Sequence, residues 1–88
     1  MNQYTMIEKA LSEHKRLSTI TGAQVLSISI VIHNDMEYDG SVCIGARVES
    51  IVWYCGSKRE LTFSYFRKDG SLIDSLRGCY NEHLSEGS

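Results

Sequence analysis

"QVLSISIVIH", residues 24–33, decides how this chain folds. Leu26, Ile28, Ile30 and Ile32 alternate with Val25, Ser27, Ser29 and Val31. A period of two, carried by β-branched residues, predicts a strand over about 24–33 with one fully apolar face. The serines interrupt the run, and it is far too short to span a bilayer. This apolar face either completes the core with the helix or, in surplus, makes an oligomer or partner surface.

Upstream, Thr5 to Glu8 ("TMIE") has the spacing of a capping box. Met6, Ile7, Ala10, Leu11 and His14 then recur at helical intervals, which predicts a helix over about residues 6–16. Its apolar stripe is expected to pack on the body of the domain, with Lys9, Glu13 and Lys15 on the solvated face. Gly22 marks a turn between helix and strand.

Downstream, "HNDMEYDGS" reads as a polar connection. A second strand is expected over about 45–55. Its alternation changes phase near Ser50, from Ala46 and Val48 to Ile51, Trp53 and Cys55, which predicts a bulge or bend. A third strand over about 59–67 places Leu61, Phe63 and Tyr65 on one face. The Asp69-Gly70 pair has turn chemistry and leads to a fourth strand over about 71–77. The expected fold is α+β: an N-terminal helix packed on a strongly bent antiparallel sheet or a small SH3-like β-barrel.

The stretch "IGARVESIVWYCGSKRELTFSYFRKDGSLIDSLRGCYNEHL", residues 44–84, resembles a small SH3-like barrel of the Tudor/KOW kind. The shared order is a Gly-x-x-Val entry strand, a hairpin, an aromatic strand, an Asp-Gly turn, another strand and a short closing segment. The resemblance implies a binding module with its ligand site on exposed aromatics beside the hairpin loops. Trp53, Tyr54 and Phe66 match that description. The N-terminal helix and the isoleucine-rich strand lie outside it.

The chain has 88 residues, 42% hydrophobic and 23% charged, with no proline and no linker-like run. This is the composition of one globular domain, residues 1–88. The N-terminus lacks the basic and apolar blocks of a secretory signal. Three cysteines cannot all pair within one chain and fit reduced thiols, so the expected compartment is cytoplasmic. Residues 46–77 hold six basic and four acidic residues, a local +2, while the flanks are acidic and the whole chain carries −2. That is much weaker than the footprint of a dedicated nucleic-acid binder.

No constellation names a reaction. The i,i+4 pair Cys79 and His83, with Cys43 and Cys55, would make a Cys₃His zinc set. The Cys-x-x-Cys knuckle that marks such sites is absent, so the expectation is no metal and no cofactor. Asp35, Glu37, Asp39 and Gly40 follow the start of an EF-hand loop, but Ala46 stands where its bidentate glutamate belongs. A Cys79/His83/Glu82 catalytic group has neither an oxyanion site nor a Gly-rich elbow beside it, and no enzyme activity is expected.

Two binding functions are left. The expected one is a non-enzymatic domain that binds a protein partner or its own copy. It would be an accessory or inhibitory factor of the kind encoded by phages or mobile elements. Its candidate residues are Trp53, Tyr54, Phe66, Arg67, Lys68, Tyr80 and His83. The alternative is a nucleic-acid-binding barrel in which the aromatics of 46–77 stack bases and the basic residues hold phosphates.

Overall fold

The computed structural model describes residues 3–78, and the expected closing segment with Cys79, Tyr80, His83 and Leu84 lies outside them. Helix α1 spans Gln3–Leu17. Thr5 therefore sits within the first turn, not at the cap that its spacing to Glu8 indicates. Met6, Ala10 and His14, each four residues apart, form the buried stripe. Lys15 and Arg16 end the helix where cations complement its dipole, and Arg16 pairs with Glu13 at 2.6 Å. Lys9 and Glu13 are half-buried and do not form a solvated face: the Lys9 ammonium reaches the Gly70 carbonyl at 3.4 Å.

Four strands follow: β1 Gln24–Tyr38, β2 Ser41–Trp53, β3 Ser57–Phe66 and β4 Leu72–Arg77. They form one antiparallel sheet in the order β1-β2-β3-β4. β1 and β4 are its two edges, so the sheet is not closed into a barrel. The α+β arrangement stands as an open sheet with one helix layered on it. The molecule measures 40 × 31 × 16 Å, thin in one direction, as two layers require.

The stretch expected as a polar connection is instead a hairpin. β1 continues to Tyr38 and β2 starts at Ser41, leaving Asp39 and Gly40 as a two-residue turn with φ of 56° and 81°. Positive φ at both positions is what a type I′ hairpin turn needs, and Asp-Gly tolerates it. The polar letters mislead because the intervening side chains find partners. Tyr38 stacks on Tyr65 with ring centroids 4.7 Å apart, and its hydroxyl donates to Asp74 at 2.6 Å. Met36 lies over Gly45, where an added Cβ would come within 2.8 Å of the Met36 Cγ. This hairpin also removes the EF-hand reading, since Asp35 and Glu37 are strand residues.

The expected phase change in β2 does not occur. Its pairing with β3 runs unbroken from Ile44 to Trp53. Ile44, Ala46, Val48, Ser50 and Val52 all lie on the helix side, and Ile51 and Trp53 lie on the other. Ser50 is inward despite its hydroxyl because His14 meets it there, at 2.8 Å. The irregularities fall in β1 instead, between Val25 and Ser27 and between His33 and Met36.

The core is Met6, Ala10, Ala46, Val48 and Phe66, flanked by half-buried Leu11, Ile30, Ile32, Ile44 and Leu72. On β3 the helix side is Glu60, Thr62, Ser64 and Phe66, and the apolar Leu61, Phe63 and Tyr65 lie on the far side. The face of β1 read as fully inward is covered only in part. Ile30 and Ile32 join the core, but Leu26 and Ile28 are 49% and 48% exposed. Helix α1 lies over β3, β2 and β4, and β1 projects beyond it.

Candidate binding surface

β1 is an edge strand of 15 residues whose outer backbone edge has no strand partner among the described residues. Val25, Leu26, Ile28 and Val31 are all exposed along it. From Ser18 to Asn34 the sequence has no Asp, Glu, Lys or Arg. Edge strands are normally shielded by charge, proline, brevity or a covering element. The stretch from Ser27 to His33, which pairs in regular register with Ile51 through Gly45, has no charge and no proline, and no covering element lies on its outer edge among the described residues.

Beside this edge runs an apolar groove of about 590 Å³ between the end of α1, the connection to β1, and the sheet. Leu11, Ile20, Val25, Ile28 and Val52 form its walls, with Lys15 at the rim. Its floor is polar and internally satisfied. The His14 ring sits between two hydroxyls, with Nδ1 2.8 Å from Thr62 Oγ1 and Nε2 2.8 Å from Ser50 Oγ. One ring nitrogen donates and the other accepts. Burial holds the His14 pKa below the ordinary imidazole value, and the Glu60 carboxylate partly opposes this. Glu60, only 3% exposed, accepts from Thr19 at 3.3 Å and faces the Arg77 guanidinium at 3.7 Å. These contacts fasten helix, connection and sheet together, and His14 and Ser50 among them line the groove beside β1.

The residues singled out in the sequence do not form one site. Trp53 and Tyr54 are exposed at the β2–β3 turn, where Cys55 has a φ of 56°. Phe66 is wholly buried against the helix and cannot present its ring to a ligand. Its strand needed one large apolar side chain on the helix side, since Glu60, Thr62 and Ser64 fill the other positions. Arg67 and Lys68 are exposed at the β3–β4 turn, and Lys68 donates to the Asn34 carbonyl at 3.2 Å. Trp53 pairs with Ser57, and Ile44 pairs with Phe66, so these two turns lie at opposite ends of the β2–β3 hairpin. At about 3.3 Å per residue, roughly 30 Å separates the aromatic pair from the basic pair. Tyr80 and His83 lie outside the described residues.

The same distance bears on the zinc set. Cys43 is buried at one end of β2 and Cys55 is exposed beyond the other, so the two cannot ligate one ion. Among the described residues no three His, Cys, Asp or Glu side chains converge as metal ligands. No described helix is long and apolar enough to cross a membrane.

Sequence reasoning missed the polar floor, and it raised the isoleucine-rich strand as a possible partner surface while placing its candidate residues elsewhere. The floor had a signal: His14 falls on the apolar stripe of the helix, and Ser50 falls in phase with Ala46, Val48 and Val52. The edge had one too, in the long uncharged run around β1. No protein family model matches the chain, and no curated protein or solved structure matches it.

Proposed function

We propose that this protein is a non-enzymatic binding domain that joins another protein chain by strand addition along β1. The observation that carries the reading is the regular, uncharged Ser27–His33 edge, uncovered among the described residues. An added strand satisfies its outward amides and carbonyls, while the half-exposed side chains select the partner. The adjoining groove offers apolar burial to residues flanking that strand. Binding of nucleic acid through stacked aromatics and nearby cations has less support: Lys58 and Arg59 lie beside Trp53 and Tyr54, but Arg59 is paired with Glu49, Arg67 and Lys68 lie at the far end of the hairpin, and the whole chain carries −2.

Affinity capture with three forms of the chain tests this. The wild type, Val31→Lys at the edge, and Arg67→Ser/Lys68→Ser at the far turn are compared with and without nuclease. Proteins retained by the wild type and the turn variant but lost with Val31→Lys support strand addition. Captured material that disappears with nuclease, or that Val31→Lys leaves unchanged, overturns it.

A further inference from the structure

We infer that the chain added to β1 is a second copy of β1, related by a two-fold axis that passes beside Ile30. The inference rests on the reading of β1 as the binding edge and names its partner. Ser27–His33 is the stretch between the two irregularities of β1, and Ile30 is its midpoint. An antiparallel pairing of this stretch with itself sets Ile28 opposite the partner's Ile32, and Ile30 opposite its own copy. These residues all lie on the helix side of the sheet. On the other side Ser29 meets the partner's Val31, and Ser27 meets the partner's His33, within reach of a hydrogen bond.

Self-pairing in this register is consistent at every position. Isoleucine meets isoleucine on one face, small or polar residues meet on the other, and no like charges oppose each other. A one-residue slip would set isoleucines of one copy against serines of the other. The flanks agree as well. The same register carries the partner's Asp35 and Glu37 past Ala23–Val25, beside the groove whose rim holds Lys15. Asp35 is 90% exposed, and its 3.9 Å contact with Lys68 is long enough to be exchanged for that charge. An isologous contact of this kind closes on itself, so the exposed edge is consumed and does not propagate into a fibre. A strand pair of this length buries on the order of 800 Å² in all, small for a permanent dimer, so the association depends on concentration.

Sedimentation velocity of the full chain between roughly 1 and 200 µM, around the micromolar range expected for so small an interface, reads the association directly. The expected result is a mass rising from one chain towards two, with Val31→Lys holding it at one chain while its far-ultraviolet circular dichroism stays that of the wild type. Mixing a Ser29→Cys chain with a Val31→Cys chain and oxidising the mixture then reads the register. A disulfide joining the two introduced thiols, mapped by mass spectrometry and far more abundant than one joining two chains of either single variant, supports the axis beside Ile30. A dimer that forms without this disulfide and is indifferent to Val31→Lys overturns the inference. So does a chain that stays single throughout the range. If such a single chain still loses a captured protein on Val31→Lys, only the second copy is wrong. If Val31→Lys alters neither mass nor capture, β1 is not the binding edge.

Discussion

His14 Nε2 lies 2.8 Å from Ser50 Oγ, and this contact explains how a serine can hold an inward position in the middle of β2. The ring's other nitrogen meets Thr62 Oγ1 on β3, so one helix residue ties two strands to α1. Buried hydroxyls that lose their partner cost more than the bond itself contributes. His14→Leu is therefore expected to destabilise the fold by about 2–4 kcal/mol, leaving two orphaned hydroxyls. Adding Ser50→Ala and Thr62→Val should recover much of that, because an all-apolar floor has nothing left unsatisfied. Urea unfolding of the single and triple variants checks it. A triple variant no more stable than the single one would show that the polar floor is not what His14 supports.

The same ring makes stability depend on pH. Burial lowers the His14 pKa in the folded chain, with the Glu60 carboxylate opposing. Below the ordinary imidazole value of about 6.5, the unfolded chain binds a proton that the folded chain resists. Stability is therefore full above that value and falls as pH drops from about 7 towards 5. Glu13, Asp69 and Asp74 are also lowered, first by hydrogen bonds from Arg16, the Ser71 amide and Tyr38 respectively. Their contributions are lost only in more acid solution, below about pH 4, so the two declines separate. Urea midpoints measured between pH 5 and 8 should slope in the wild type and flatten in His14→Gln. An equal slope in both would assign the effect to another group.

Much of the fold was legible in the sequence, and the misreadings share a cause. The helix, the strand count and three of the turns follow from local periodicity and turn chemistry. The misread positions are those where a distant residue settles the matter. Ser50 is inward because of a histidine 36 positions earlier. Tyr38 extends β1 because Tyr65 and Asp74 receive it. Phe66 is core because α1 lies on it, although its sequence neighbours are exposed cations. The exposure of β1 could not be settled from the sequence for a related reason. A run of isoleucines reads as core unless the reach of the covering helix is known, and here the core takes in Ile30 and Ile32 but leaves Leu26 and Ile28 about half exposed.

Gly45 provides a test of packing on the far face. A Cβ there would meet Met36 Cγ at 2.8 Å, closer than carbon atoms tolerate. Gly45→Ala is expected to cost about 1–3 kcal/mol through displaced packing. The clash has one identified source, so Met36→Ala in the same chain should reduce the added cost of Gly45→Ala to near zero. The double-mutant cycle, read from thermal or urea unfolding, isolates that coupling. Additive effects would mean that Met36 does not set the glycine requirement.

The exposure gradient along the helix side of the sheet gives the last prediction. Phe66 is fully buried, Ile30 is half-buried at the margin of the core, and Ile28 is about half exposed in a single chain. Truncating a buried phenylalanine leaves a cavity and costs about 3–5 kcal/mol, enough to unfold a domain of this size. Ile30→Ala should cost less, about 1–2 kcal/mol, because its site is partly open and can collapse. Ile28→Ala should cost under about 1 kcal/mol when the chain is dilute. If β1 pairs with its own copy as inferred above, the Ile28→Ala cost should grow at high concentration, since dimerisation then couples to folding by mass action. Urea midpoints for all three variants at a low and a high protein concentration read both effects. A cost for Ile28→Ala as large as that for Ile30→Ala at the lowest concentration would mean that something within the single chain already covers β1.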